Sequence, residues 1–464
     1  MAGGVHARLR RCRGRHEPRM TDGATAGVVR LSHAAAAEVP PAVRAMARLC
    51  ILDWFGLAIA GLREPVAELL LAEVQAEGAA PTATILGAGK LFSGRQAALV
   101  HGVAGHALDF DDVNLAMHVH PTTVILPPLL ALAEMRRLDG DAVLRAFVAG
   151  YEAAGMIGAA LSGPHYARGF HATGTIGALG AAVACVHALG LDAAGQARAL
   201  GLAASMAAGL KAQFGTMAKP MHAGRAAETG LLAALRAERG VTGTTTILEA
   251  RQGFADTQAE GWPADAPVWA GYHLLDNRFK FHAACFGVHG TLEAIGALRR
   301  AHPFTTGDVR AVRLTVHPER DAMCNLSDPQ DGNAAKFSLR FNAALALAGR
   351  ATADPATYAD GNVADPALRR LHDRATVTLA DGDWPEDMTA VEVELHDGRT
   401  LRDTRDMAKQ RLLPDAAAPT LAAKFDALAG PRIGAAAAGR LRSAINRFED
   451  HPVEALLALA APPR

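Results

Sequence analysis

The sequence predicts a mainly α protein, with a large all-helical domain and a smaller α+β domain acting as its lid, and three observations carry that prediction. From about Val28 to Ala284, apolar residues recur at helical spacing in one segment after another. Near residue 305 this spacing gives way to alternation rich in β-branched residues. After Arg405 the helical spacing returns, so the middle unit reads as an insertion hinged over one larger helical body.

Taken in order, residues 1–27 form an N-terminal extension. Its opening, "MAGGVHARLRRCRGRHEPR", is basic and lacks the apolar stretch of a secretory signal, so Met20 is expected to be the initiating residue. Residues 28–278 form the helical domain, through "PPAVRAMARLCILDWFGLAIAGL", "GRQAALVHGVAGHALDF", "GDAVLRAFVAGYEAAGMIGAAL" and "DAAGQARALGLAASMAAGL". Gly and Asp in "GAGK", "RLDGD" and "LGLD" supply the stops and starts. The run "GTIGALGAAVACVHALGL" approaches membrane length, but its Gly and Ala content and His187 predict a close-packed helix of a soluble core. Residues 279–405 form the α+β unit, with "EAIGALRRAH" and "AAKFSLRFNAALALAGR" as helices. In the same unit "DVRAVRLTVHPE" alternates, and "ATVTLA" and "TAVEVELHDGRTL" read as strands. Residues 406–464 return to helix.

The 47 basic and 47 acidic residues cancel, so no global field favours nucleic acid or an anionic membrane, and neither partner is expected. Anion preference must then come from a local cluster. Five cysteines without CxxC or zinc-ligand spacing fit a reduced, cytoplasmic protein. No GxGxxG after a strand, Walker loop, GxSxG elbow or CxxC cluster occurs, so nucleotides, flavin and iron–sulfur clusters are not expected.

Four stretches concentrate chemistry. "HALDFDDVNLAMHVHP" packs His106, Asp109, Asp111, Asp112, His118 and His120 into sixteen residues. The composition suits an acid/base or anion site, a metal site, or helix capping; no HExxH or two-His-one-carboxylate spacing supports the metal. "RGFHATGTIGALG" sets His171 at the opening of an apolar helix, whose free N–H groups suit a carboxylate, although an ordinary N-cap has the same residues. "FGTMAKPMHAGRAAETG" spaces Lys219, His222 and Arg225 at three-residue intervals. Because lysine is seldom buried unpaired, this cluster reads as an anion-binding wall, the alternative being a solvated face. "FKFHAACFGVHG" places Lys280, His282, Cys285 and His289 at the junction of the two units, with Lys336 and Arg340 facing the same cleft from the lid or lying on its surface.

Together, "HALDFDD", the following "HP" with "LPPLLALAE", "GFHATGTIGALGAA", "FGTMAKPMHAGRAAETG" and "AAKFSLRF" resemble the signature blocks of the MmgE/PrpD family over nearly the whole chain from residue 28. The resemblance implies a helical domain with an α+β lid, a homodimer, and no metal or organic cofactor. The family's activities are 2-methylcitrate dehydration, cis-aconitate decarboxylation and iminodisuccinate epimerisation. By matching position, Asp109, His120, His171 and Lys219 become the expected catalytic set. His106, His118, His222, Arg225, Lys280, His282, Cys285, His289 and Lys336 become the expected substrate-binding set. Val113 and Cys285 stand where the decarboxylase pattern has threonine and histidine, and Asp321 aligns near its tyrosine, which weakens the decarboxylase assignment. The expectation is therefore a dehydratase-like lyase of a small di- or tricarboxylate, with epimerisation of a dicarboxylate as the alternative, decarboxylation as a second, and a non-enzymatic dicarboxylate-binding protein as a third. Each of these chemistries creates negative charge beside a carboxylate, and preorganised donors stabilise such charge by about 3–4 kcal/mol each.

Overall fold

The structure is a computed structural model that describes residues 23–88, 91–264 and 271–461; the sequence up to residue 22, with Met20, lies outside the described residues. It is mainly helical with a small mixed sheet. Among the described residues, nine helices of twelve residues or more build the first part: α1 (Ala24–Ala37), α2 (Pro41–Gly61), α3 (Pro65–Glu77), α4 (Gly94–Ala107), α5 (Thr122–Arg136), α6 (Gly140–Ala167), α7 (Ala172–Ala188), α8 (Ala193–Ala204) and α9 (Ala218–Glu238). The first of these starts four residues before the predicted boundary at Val28. Local chemistry sets the starts. Proline opens α2 and α3, Ser93 and Gln96 form a capping box on α4, and Asp139 and Asp192 accept the Ala142 and Gly195 amides at the heads of α6 and α8.

Missing side chains set how the helices cross. A Cβ on Gly102 of α4 would lie 2.7 Å from Gly224 Cα of α9, and one on Gly180 of α7 would lie 2.8 Å from the Gly150 carbonyl of α6. Only glycine permits backbones this close. The first contact places the C-terminal end of α4 beside the N-terminal end of α9. By length and composition α6 could cross a bilayer, but 83% of its apolar window is buried inside the protein. The close-packed run expected around His187 is α7, buried from Ala172 to Val186. Helix α8 stops at Ala204, six residues short of the expected helical stretch, and the chain leaves as a loop that carries Phe214.

A two-residue ribbon pairs β1 (Ala83–Thr84) with β2 (Leu91–Phe92). The main sheet holds β3 (Val309–Val316), β4 (Ala375–Leu379), β5 (Met388–Leu395) and β6 (Thr400–Asp406) in the order β4-β3-β5-β6, parallel only between β3 and β4. The stretch read as one strand, "TAVEVELHDGRTL", is a hairpin. Its "DG" turns β5 into β6, and Val393 pairs with Leu401. Buried Val391, Val393 and Leu395 alternate with half-exposed residues on β5 and pack, with Val312 and Leu314, against helices His289–Ala301 and Leu339–Leu347. This second core also takes in Leu57, Leu108, Phe110 and Leu428 from the helical part. Helix Pro414–Ile433 packs on α2, and the two helices after it join the first core.

Candidate active site

The C-terminus of α4 and the N-termini of α5, α7 and α9 come together where the 108–121 segment crosses between α4 and α5. That segment is irregular. Asp109 (φ 50°) and His118 (φ 51°) take left-handed backbone, which costs a residue with a side chain about 1–3 kcal/mol and persists only where its surroundings hold it. Those surroundings are visible: Val113 and Arg278 exchange both backbone hydrogen bonds at 2.8 Å, and the Thr173 hydroxyl on α7 accepts the His120 amide at 3.1 Å.

The three aspartates of "DFDD" point to three different environments. Asp109 Oδ1 accepts from Lys219 Nζ at 3.0 Å and from Lys280 Nζ at 2.7 Å, and Lys280 also donates to the Asp109 carbonyl at 2.9 Å. Burial alone would raise the Asp109 carboxyl, but the two ammoniums override it and hold it well below the usual carboxylate range. Lys280 is in turn raised: burial lowers it, and Asp109 and Asp111 outweigh that. Asp111 accepts from His106 Nδ1 at 2.8 Å and lies 3.5 Å from His120 Nδ1. Asp112 turns away to the Thr122 hydroxyl at 2.6 Å; burial, with Asp111 and Asp53 nearby, pushes it up to about 7.

Four imidazoles form a row. The His106 ring lies 4.6 Å from that of His120 and 5.9 Å from that of His171, which lies 5.3 Å from that of His222. His120 Nδ1 faces the Asp112 carbonyl at 2.9 Å, so Nδ1 carries the proton and Nε2 is left as a base. His171 and His222 meet Nδ1 to Nδ1 at 3.0 Å, a contact that needs one hydrogen between them. Burial lowers His120 and His171 well below the usual imidazole range, with Asp111 opposing it at His120, and burial lowers His222 to about 4.

A cavity opens against this row. Of the predicted residues, His118, His120, His171, Lys219 and Cys285 line it. Asp109, Lys280, His106 and His222 stand directly behind that wall, through the contacts above. The neighbouring Cys324 thiol brings the Cys285 thiol below its ordinary range against its burial.

Four expected substrate contacts belong elsewhere. Arg225 is exposed and pairs with Glu228, which also takes Arg95. At about 100° per residue, six residues carry Arg225 some 120° around α9 from Lys219, so three-residue spacing does not keep one face. His282 is engaged by Thr352 at 2.7 Å and Glu293 at 3.2 Å, and His289 faces the Ala284 carbonyl at 3.2 Å; both line a neighbouring cavity behind Phe286. Lys336 is buried where the chain breaks between two short helices, and its ammonium turns to the Ala107 carbonyl at the C-terminus of α4, the negative end of that helix. Arg340 bonds Asn325, and Asp321 accepts from Asn325 without lining the cavity.

Other residues of the cavity carried little signal in the sequence. Arg320, beside Asp321, is buried in the cavity wall. Glu386 and Asp387 reach the cavity from the turn before β5; "DWPED" reads as an ordinary polar turn. Tyr166 stacks on His118 at 4.7 Å. Ligand atoms of His106, Asp109, Asp111 and His120 lie within 4.8 Å of one another. Distance alone would let them hold a cation, but Asp109 already meets two ammoniums there, which supply its counter-charge.

The fold and site define a class: a mainly helical protein whose buried ammonium–imidazole centre is built where helix ends converge. Comparison with known families narrows it. The MmgE/PrpD N-terminal domain model matches residues 30–266 and the MmgE/PrpD C-terminal domain model matches residues 282–450; the chain belongs to the MmgE/PrpD family. It is 30% identical over 289 residues to cis-aconitate decarboxylase of Aspergillus terreus (strain NIH 2624 / FGSC A1156), 59% of each chain. It is 35% identical to the Homo sapiens cis-aconitate decarboxylase over 213 residues, 44% of each chain. With that of Mus musculus it shares 29% over 333 residues, 67% of this chain and 66% of the relative. The chain thus spans about three fifths of the length of the Aspergillus relative.

Proposed function

We propose that the chain is a lyase of a small di- or tricarboxylate, acting at a carbon next to a carboxylate. The observation that carries this reading is the Asp109 carboxylate held between two ammoniums beside a neutral His120 whose Nε2 is free to take a proton. Lys219, on the cavity wall, receives the substrate carboxylate and stabilises the charge that develops on it. Lys280 and Asp109 fix that ammonium in place. His120 removes or returns the proton, a role worth about 10²–10⁴ in rate, and His171 faces the same space. The cis-aconitate decarboxylase relatives support the lyase class, while Val113 and Cys285 in the wall leave open loss of water or of CO₂.

Residues 279–405 act in this reading as a lid, since Cys285, Phe286, Arg320 and Glu386 complete the cavity. A homodimer without an organic cofactor, in the cytoplasm, is carried over from the resemblance and the composition; gel filtration and a spectrum of the purified protein test the first two.

The experiment is turnover of cis-aconitate, citrate, 2-methylcitrate, malate and iminodisuccinate, followed by absorbance of the unsaturated product and by NMR in D₂O. Release of water or CO₂ is expected. Deuterium uptake without either identifies an epimerase instead, and inertness toward every member of the panel defeats the proposal.

A further inference from the structure

The cavity has two poles of opposite sign. At one, Lys219 stands with His120 and His171, backed by Lys280. At the other, Glu386 and Asp387 enter from the turn before β5. Arg320 is the second cation of the wall and is committed to the chain itself. It binds the Asp387 carboxylate, donates to the Glu386 carbonyl at 3.0 Å, and contacts Met323 Sδ at 3.0 Å.

Glu386 is held less completely. Its carboxylate lies 3.5 Å from His118 Nε2 and 4.0 Å from Arg320, and its side chain is 37% exposed. Contact with His118, aided by Arg320 and opposed by burial, lowers it to about 2, so it is ionised at neutral pH. Between the poles the wall is apolar or aromatic: Val113, Leu115, Phe214, Phe286 and Phe337.

Two cations therefore face two carboxylates, and only Lys219 offers its charge to an incoming anion. A trianion in this space sets a carboxylate against Glu386, and like charges brought together in a partly dehydrated site reject a ligand strongly. A hydroxyl or ammonium at that position adds a donor to the 3.5 Å contact from His118.

Resting on the lyase reading above, we infer that the preferred substrate is a dicarboxylate with a hydroxyl or amino donor, its reacting carboxylate against Lys219 and its donor against Glu386, and that a third carboxylate is selected against. Glu386 is the specificity-determining residue.

The test compares kcat/KM, or the ligand-induced rise in Tm, for malate and aspartate against cis-aconitate and citrate, with fumarate as a dicarboxylate lacking the donor. The full chain is expected to favour the donor-bearing dicarboxylates by at least about tenfold, with fumarate between the groups. Glu386→Gln keeps the shape and removes the charge, and is expected to bring the ratio to within about threefold of unity. A preference for tricarboxylates, or an unchanged ratio in a folded Glu386→Gln protein, overturns the inference and leaves the lyase reading standing. Failure of the full chain to bind or turn over any of the five, or any member of the panel above, defeats the lyase reading, and this inference with it.

Discussion

Asp109 and Asp53 are both buried and both paired with lysine, and they do opposite things. Asp53 meets one ammonium, Lys424, at 2.7 Å. Burial, only partly offset by that partner, raises its carboxyl to about 6. Asp109 meets two ammoniums, and its carboxyl is held far down. The second ammonium makes the difference: one lysine is spent on compensating the aspartate, and the other keeps charge to offer at the cavity wall. Lys424 works inside the protein, donating to the carbonyls of Phe110 at 2.8 Å and Lys280 at 3.1 Å, and so ties down the two segments that carry the site.

Removing the cavity-side ammonium breaks the comparison most sharply. Lys219→Ala is expected to lower kcat/KM by about 10²–10³. Its Tm should stay within a few degrees of the parent, because Asp109 retains Lys280. Full activity in this variant removes Lys219 from the chemistry.

The internal pair should show the reverse profile. Lys424→Ala strands a buried carboxylate and is expected to cost about 3–5 kcal/mol in urea unfolding. The double change Asp53→Leu with Lys424→Met should recover at least half of that, since an apolar pair of similar volume replaces a buried ion pair at little cost. If the double change is no better than the single one, the carbonyls of Phe110 and Lys280 depend on that ammonium more than Asp53 does.

Acid titration separates the two aspartates by sign. Asp53 holds its proton longer folded than unfolded, between its ordinary 3.8 and about 6. Across that window it makes stability fall as pH rises. Asp109, held below 3.8, contributes stability that is present above 3.8 and is lost as pH falls further. Urea midpoints from pH 4 to 6 should therefore lose a falling component in Asp53→Asn; an unaltered slope contradicts the raised carboxyl.

The smallest effect is at Arg225. Exposed and paired on the surface, Arg225→Ala should leave kcat/KM within about twofold and stability within about 0.5 kcal/mol. A larger loss of activity would return this residue to the site.

Arg225 also marks how far the sequence could be read. Helical spacing and Gly/Asp punctuation were enough for the helices and for the change near residue 305, and residue types at matching positions brought Asp109, His120, His171 and Lys219 to one place. Spacing along a helix did not say which cation turns inward, because the answer depends on six residues of rotation about α9. The "FKFHAACFGVHG" stretch looks like one cluster, yet it splits into Lys280 behind the wall, Cys285 on it, and His282 and His289 in the next cavity. Glu386 and Arg320 were invisible for another reason. Their pairing joins the 320 helix to the turn before β5, and no local pattern reports a contact between segments more than sixty residues apart.

The contact between His171 and His222 has a consequence for proton traffic. Two Nδ1 atoms sharing one hydrogen admit two complementary tautomeric arrangements. When His171 holds the hydrogen, its Nε2 is a lone pair; when His222 holds it, His171 Nε2 becomes N–H. Provided His222 Nε2 exchanges its own hydrogen with the medium, the ring at the cavity wall changes from acceptor to donor with no change in the net charge of the pair. His222, half-exposed while His171 is buried, is the outer member of the pair, and the tautomer it holds decides whether His171 Nε2 accepts or donates.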